Sequence, residues 1–427
     1  MFSRLLRNRS IGLSPEAKFF LLRFLQEEQK QQVEPLAALN VRKISKRIGV
    51  TPKVAALAID QLVSLGLLAK QSKLRQLGRP SSEYRCDTAE IEKALGDPRG
   101  ESRQEARIAK LLSGAVGQEG SRLMYANRLL LAVLVAYADD FGLVRGLGWR
   151  ALAELTGLPR AALRQRLEGL LDQGYLRAVV PGATGTALFK KAKSEYTLNL
   201  EHPLLRIGKE PGVLVVRTTF SRHADDYPAR QILNAVMKLG GSPRVPVGLE
   251  HYDIGELFGE ANPLYLTPIL QASIDRYASY LLSEHFDALG GFGGAFSGLR
   301  DRVLKDFSGS DSEEGAPEAE IQEDMIRLLC AQAVAWALDI RAALVRADNL
   351  LDEGPFTFCL LPPSKRDHAL RGRKQPLALA MLVSARDGAL KHGCRVRDLL
   401  AGVERDLVSD DELPMAERYS YGLMTKP

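Results

Sequence analysis

The chain has 427 residues, of which 45% are apolar and 26% charged. That length suggests two or three domains, and the composition excludes a wholly disordered chain and a collagen-like repeat. The net charge of +6 hides a split, because residues 1–200 carry 32 basic and 19 acidic side chains while residues 201–427 carry 26 and 33.

A polyanionic partner is therefore to be sought on the N-terminal half. The longest apolar run, Leu129 to Ala138, is ten residues, against the roughly 20 a membrane helix needs. The first residues lack the apolar core of a signal peptide. Cys86, Cys330, Cys359 and Cys394 stand far apart, as unpaired thiols of a reducing compartment do. The expectation is a cytoplasmic, nucleoid-associated protein with no membrane partner.

In chain order, an amphipathic helix is expected over Pro15–Gln32 behind the N-cap Ser14, and a short helix over Val41–Ile48. A glycine turn at Gly49 leads into a helix from Pro52, with Thr51 as N-cap and Ala55, Ile59 and Leu62 as its buried stripe. A β-hairpin follows, Leu67–Lys73 returning through Ser82-Glu83-Tyr84-Arg85 around Leu77-Gly78-Arg79-Pro80. The same series then repeats 108 residues later. Arg122–Ala138 behind Ser121 is the first helix, Trp149–Thr156 the second, and Gly157 the turn. A helix with Leu163, Leu167 and Leu170 as its stripe comes next. The second hairpin runs Tyr175–Val180 and returns through Ser194-Glu195-Tyr196-Thr197. The stretch 97–120 reads as a linker that lets the two copies adjust to separate half-sites.

Two helices across a glycine turn, followed by a hairpin and present twice, resemble the bacterial winged helix-turn-helix DNA-binding proteins. The resemblance covers residues 11–90 and 121–200. It is similar to the modules of transcription regulators and of phage and plasmid replication initiators. It implies a mainly α (α+β) fold: a first winged domain over 1–96, the linker, a second over 121–205, and a mostly helical C-terminal domain over 206–427. The second helix of each pair is then expected in the major groove of double-stranded DNA. Base readout falls to Arg160, Arg164 and Gln165 in the second copy, since Arg donates two bonds to guanine and Gln pairs with adenine. Thr51 and Lys53 are the candidates in the first, where Ala56 and Leu57 replace the expected polar residues. The plain reading of Arg164 is an exposed pair with Glu168. Phosphate contacts are expected from Arg42, Lys43, Lys46 and Arg47 on the short helix. The hairpins add Lys70, Lys73, Arg75, Arg79 and Arg85, then Arg177, Lys190, Lys191 and Lys193.

Beyond residue 206, Gly212–Phe220 is strand-like. Helical patterns are expected over Ala229–Leu239, Leu264–Leu289, Ala319–Leu351 and Leu377–Lys391. In the third, Met325, Leu328, Leu329, Trp336, Ile340, Leu344 and Leu351 form one stripe, read either as core or as a homodimer face. Ser308–Glu320 reads as a disordered acidic loop. Pro362–Lys374 is a basic island, an exposed loop or a further contact. There is no P-loop, and Gly290–Gly294 follows a helical pattern, so it reads as a helix break and not a dinucleotide loop. The six histidines and four cysteines lack ligand spacing, and His223, Asp225 and Asp226 share a loop without forming a convincing metal site. No enzyme, cofactor or metal is expected. A transcriptional regulator whose C-terminal domain oligomerises or senses an effector is the leading expectation. Alternatives are a replication initiator, or a winged-helix interaction subunit of a chromosome-organisation or defence complex.

Overall fold

The computed structural model describes residues 1–9, 12–30, 39–73, 81–95, 104–113, 123–184, 191–208, 210–217, 227–237, 263–291, 296–307, 316–347, 355–362, 378–385 and 393–424. It is a mixed α/β chain that divides into two compact units, Met1–Gln173 with His202–Ile207, and Gly174–Glu201 with Gly208–Pro427.

In the N-terminal unit, α1 (Phe2–Arg7) precedes α2 (Pro15–Glu28), whose N-cap Ser14 accepts a hydrogen bond from the Ala17 amide at 3.2 Å. Next come α3 (Val41–Ile48), α4 (Pro52–Ser64), β1 (Leu68–Lys73), β2 (Ser81–Cys86) and α5 (Thr88–Leu95). The strands pair antiparallel from Leu68↔Cys86 to Lys73↔Ser81. After α6 (Glu105–Ser113) and α7 (Tyr125–Tyr137), β3 (Leu143–Val144) leads to α8 (Trp149–Thr156) and α9 (Arg160–Asp172). Helices α8 and α9 lie 108 residues after α3 and α4 at both their first and last residues. Gly49 and Gly157 end α3 and α8 in the left-handed region at φ 83° and 69°, a conformation that costs an L side chain about 1 kcal/mol. The start of the α7 pattern, Ser121-Arg122, lies outside the described residues, and the helix begins only at Tyr125.

The described part of the expected linker, 104–113, contributes core. Ile108, Leu111 and Leu112 of α6 are buried. Gln26 of α2 donates to the Ala109 carbonyl of α6 at 2.6 Å. The repeats also meet directly: Phe19 and Tyr125 rings stand 6.0 Å apart, and the Tyr125 hydroxyl donates to Glu16 at 2.7 Å. The buried Lys18 ammonium donates to the Leu6, Asn8 and Leu155 carbonyls at 3.4, 3.1 and 2.7 Å. Burial holds its pKa down at about 8. These contacts pack residues 104–113 of the connection against α2.

The C-terminal unit begins with the second hairpin, β4 (Leu176–Val180) and β7 (Glu195–Leu198), extended by β5 (Ala183–Thr184) and β6 (Lys191–Ala192). A five-stranded sheet follows. It contains β8 (Gly212–Arg217), β9 (Phe356–Leu360), β10 (Leu379–Ala385), β11 (Cys394–Asp398) and β12 (Val403–Leu407), in the order β12-β11-β8-β10-β9. Only β8 and β11 run parallel. Its helices are α10 (Pro228–Met237), α11 (Pro263–Glu284), α12 (Leu299–Phe307), α13 (Ala316–Ala347) and α14 (Met415–Ser420).

Leu214, Val216, Phe356, Phe358, Leu360, Met381 and Val383 of the sheet share one core with α10, α11 and α13. Edge strand β9 is covered where Ser283 and Ser279 of α11 accept from the Phe358 and Leu360 amides at 2.9 and 3.0 Å, which satisfies donors an open edge would expose. The expected mostly helical domain thus also holds a five-stranded, mainly antiparallel sheet. Within the Leu377–Lys391 pattern, Leu379–Ala385 form strand β10 and not a helix, because a strand buried on both faces reads as an unbroken apolar run, as a buried helix does; 377 and 386–391 lie outside the described residues. The Ser308–Glu320 expectation is corrected at its end, since α13 starts at Ala316, and 308–315 lie outside the described residues. The α13 stripe from Met325 to Leu344 is core; Leu351 lies outside the described residues. Segment Glu323–Ala347 is long and apolar enough to cross a membrane, and half of it is buried in this unit. The predicted His223-Asp225-Asp226 loop, Phe292–Gly294 and the basic island from Pro363 also lie outside the described residues.

Candidate nucleic-acid interface

Helix α9 turns Leu163, Leu167 and Leu170 inward, which leaves Arg160, Ala161, Arg164, Gln165 and Glu168 exposed on the opposite face. Its N-cap is Pro159 and no side chain caps its first turn. Amide donors therefore stand beside the two arginines at the positive end of the helix dipole. Arg164 pairs with Glu168 at 3.3 Å, with side chains 78% and 61% exposed. Such an exposed pair is worth only a few tenths of a kcal/mol, so a phosphate or guanine competes with it readily. Arg166 is different: it is half-buried and donates to Asn127 Oδ1 of α7 at 2.7 Å, fixing α9 to its own copy.

Helix α4 is capped by Thr51, whose hydroxyl accepts from the Val54 amide at 3.3 Å. Thr51, Pro52, Lys53, Ala56 and Leu57 are exposed, Leu57 at 57%. This face offers one cation and an apolar patch, against two cations and an amide on α9. Ahead of α4, Arg42, Lys43 and Lys46 are exposed on α3, and Lys46 and Arg47 lie in its last turn. Arg47 is half-buried and reaches Glu27 at 3.5 Å, where Arg23 also pairs at 3.2 Å.

On the hairpins Lys70 and Arg85 are exposed in the first, and Lys193 in the second. The side chains of Lys73 and Lys191, and Arg75, Arg79 and Lys190 entirely, lie outside the described residues. Arg177 must be withdrawn from the phosphate set. Between Leu176↔Leu198 and Ala178↔Thr197 the register slips, so Arg177 occupies a β-bulge. Its guanidinium meets Asp410 at 2.6 Å, with the two side chains 3% and 0% exposed. Burial alone would raise the Asp410 pKa, but the Arg177 charge overrides it and holds the carboxyl below its ordinary value.

The sequence pattern did not single out an exposed cation on the second copy's short helix. Arg150 on α8 is 94% exposed and pairs with Glu154 at 2.9 Å. It stands 108 residues after Arg42, so the duplication itself carried the signal. Among the described residues no three His, Cys, Asp or Glu side chains converge as a metal site. Comparison of the chain with protein-family models, with curated proteins and with solved structures gives no significant match.

Proposed function

We propose that this chain is a sequence-specific double-stranded DNA-binding protein built on tandem winged helix-turn-helix modules, acting in the cytoplasm as a transcriptional regulator. The observation that carries this reading is the twice-repeated helix, left-handed glycine and helix, with Arg160, Arg164 and Gln165 on the exposed face of the second copy. Two arginines and a glutamine at successive turns can address guanine and adenine edges, each bidentate contact being worth about 1–3 kcal/mol of discrimination. Exposed Arg42, Lys43, Lys46, Lys53, Lys70, Arg150 and Lys193 supply sequence-independent attraction to phosphate. The C-terminal unit is assigned oligomerisation or effector response.

The test is titration of the full-length chain against a duplex selected from a random pool, at several salt concentrations. Affinity should fall linearly on a log–log plot as salt rises. Arg160→Ala/Arg164→Ala should lose both affinity for the selected duplex and preference over an unrelated one. Unchanged preference in the double variant removes α9 from the reading. A replication initiator is the competing role for the same binding, favoured by the presence of two copies in one chain. Direct repeats of the selected site beside the gene point to the initiator, and a single promoter site to the regulator.

A further inference from the structure

The two copies touch through equivalent elements. Helices α2 and α7 are the first helices of their copies, and they meet at Phe19–Tyr125 and Glu16–Tyr125. Arg23 and Arg128 lie near enough for their charges to interact. The flanking helices α1 and α6, each preceding its copy, also meet, since the Ser3 amide and hydroxyl donate to Glu105 at 2.9 and 2.5 Å.

Two further contacts are crossed, joining the corresponding elements in the opposite sense, with donor and acceptor exchanged. Arg7 of α1 donates to the Ala136 carbonyl near the end of α7 at 2.9 Å, and Gln26 near the end of α2 donates to the Ala109 carbonyl of α6 at 2.6 Å. Like meeting like, with the α1–α7 contact matched by its converse between α6 and α2, is the signature of a two-fold relation. A translational repeat instead joins one surface to a different one.

From this we infer that the N-terminal unit is an internal pseudo-dimer, and that one copy of the chain recognises a single duplex element made of two inverted, chemically unequal half-sites at fixed spacing. The inference rests on the DNA-binding reading above. A duplex has local two-fold axes perpendicular to its own, so helices related by a dyad meet half-sites in opposite orientation. The spacing is fixed because α6 is packed between the copies and buried at Ile108, Leu111 and Leu112. The half-sites are unequal because the two faces differ in chemistry. Arg160, Arg164 and Gln165 on α9 suit guanine and adenine edges. Ala56 and Leu57 on α4 suit thymine methyl groups, with Lys53 on the backbone.

The experiment is selection of duplexes from a random pool by the full-length chain, followed by binding of rearranged versions of the selected element. The inference predicts one chain per duplex and one element with two different, inverted blocks. Inserting two base pairs between the blocks should weaken binding on the order of 100-fold, the loss of one helix's base contacts. Adding a full turn should not restore it. Arg160→Ala/Arg164→Ala should abolish selection of one block and keep the other, and Leu57→Asp should do the converse. Selection of a single block, of direct repeats, or of blocks tolerant to spacing overturns the pseudo-dimer reading while DNA binding stands. Absence of binding to any duplex overturns both.

Discussion

Ala69 and Arg177 occupy the same place in the two repeats, 108 residues apart, and their fates differ through one inserted residue. Ala69 faces Arg85 in a regular ladder and is exposed. The bulge at Arg177 turns its side chain into the C-terminal unit against Asp410. A basic residue in a hairpin pattern carries no sign of a bulge, which is why the sequence placed it on the surface. Breaking a buried pair leaves one charge unpaired, so Asp410→Ala should cost about 3–5 kcal/mol in urea unfolding. Because the folded Asp410 pKa is depressed, the contribution of this pair is full above the ordinary carboxylate value and is lost as pH falls through the folded one. Gly49 and Gly157 give a second residue-scale contrast. Both have positive φ, but a Cβ at Gly157 would stand 2.9 Å from the Leu13 carbonyl and Pro15 Cδ, whereas one at Gly49 meets nothing within 4 Å. Gly157→Ala should therefore lower the melting temperature further than Gly49→Ala. Equal losses would mean that backbone conformation alone governs both sites.

Among the elements, helices with a single buried stripe were legible and strands with buried charges were not. Helices α3 and α8 fall where their apolar spacing and terminal glycines put them. Strands β11 and β12 went unseen because Cys394-Arg395-Val396-Arg397-Asp398 does not look apolar. Two of its charges are paired in place, Asp398 with Arg217 at 2.5 Å and Arg397 with Asp406 at 2.8 Å. The polar side of α11 was equally hidden. Asp275 is buried between α11 and α13, accepting from Gln271 at 2.8 Å and from the Trp336 indole at 2.9 Å on one oxygen. Burial raises its pKa to about 7, with hydrogen bonds from Gln271 and Trp336 opposing the shift. The folded state thus holds a proton that the unfolded chain releases near its ordinary value. Stability should fall as pH rises from about 4 to about 7 and be flat above. Asp275→Asn should flatten that slope in melting curves taken across the interval; an unchanged slope assigns it to other groups.

For the whole molecule, the charge split and the duplication were both readable, yet their physical meaning depends on packing. The sequence suggested two modules on a tether, because 97–120 is polar and glycine-bearing at its ends. The burial of Ile108, Leu111 and Leu112 shows that α6, in the middle of that segment, belongs to the core of the N-terminal unit. Likewise the charge surplus of the first 200 residues does not reveal which cations face outward. Arg160 and Arg164 do, while Arg47 and Arg166 are drawn into pairs with Glu27 and Asn127. The central claim is that α9 reads DNA, and the most direct measurement compares wild type with Arg160→Ala/Arg164→Ala on selected and unrelated duplexes over a salt series. The account predicts that the double variant loses most of its preference for the selected duplex and shows a shallower salt dependence. An unchanged preference, or no duplex binding by the wild type at low salt, would contradict it.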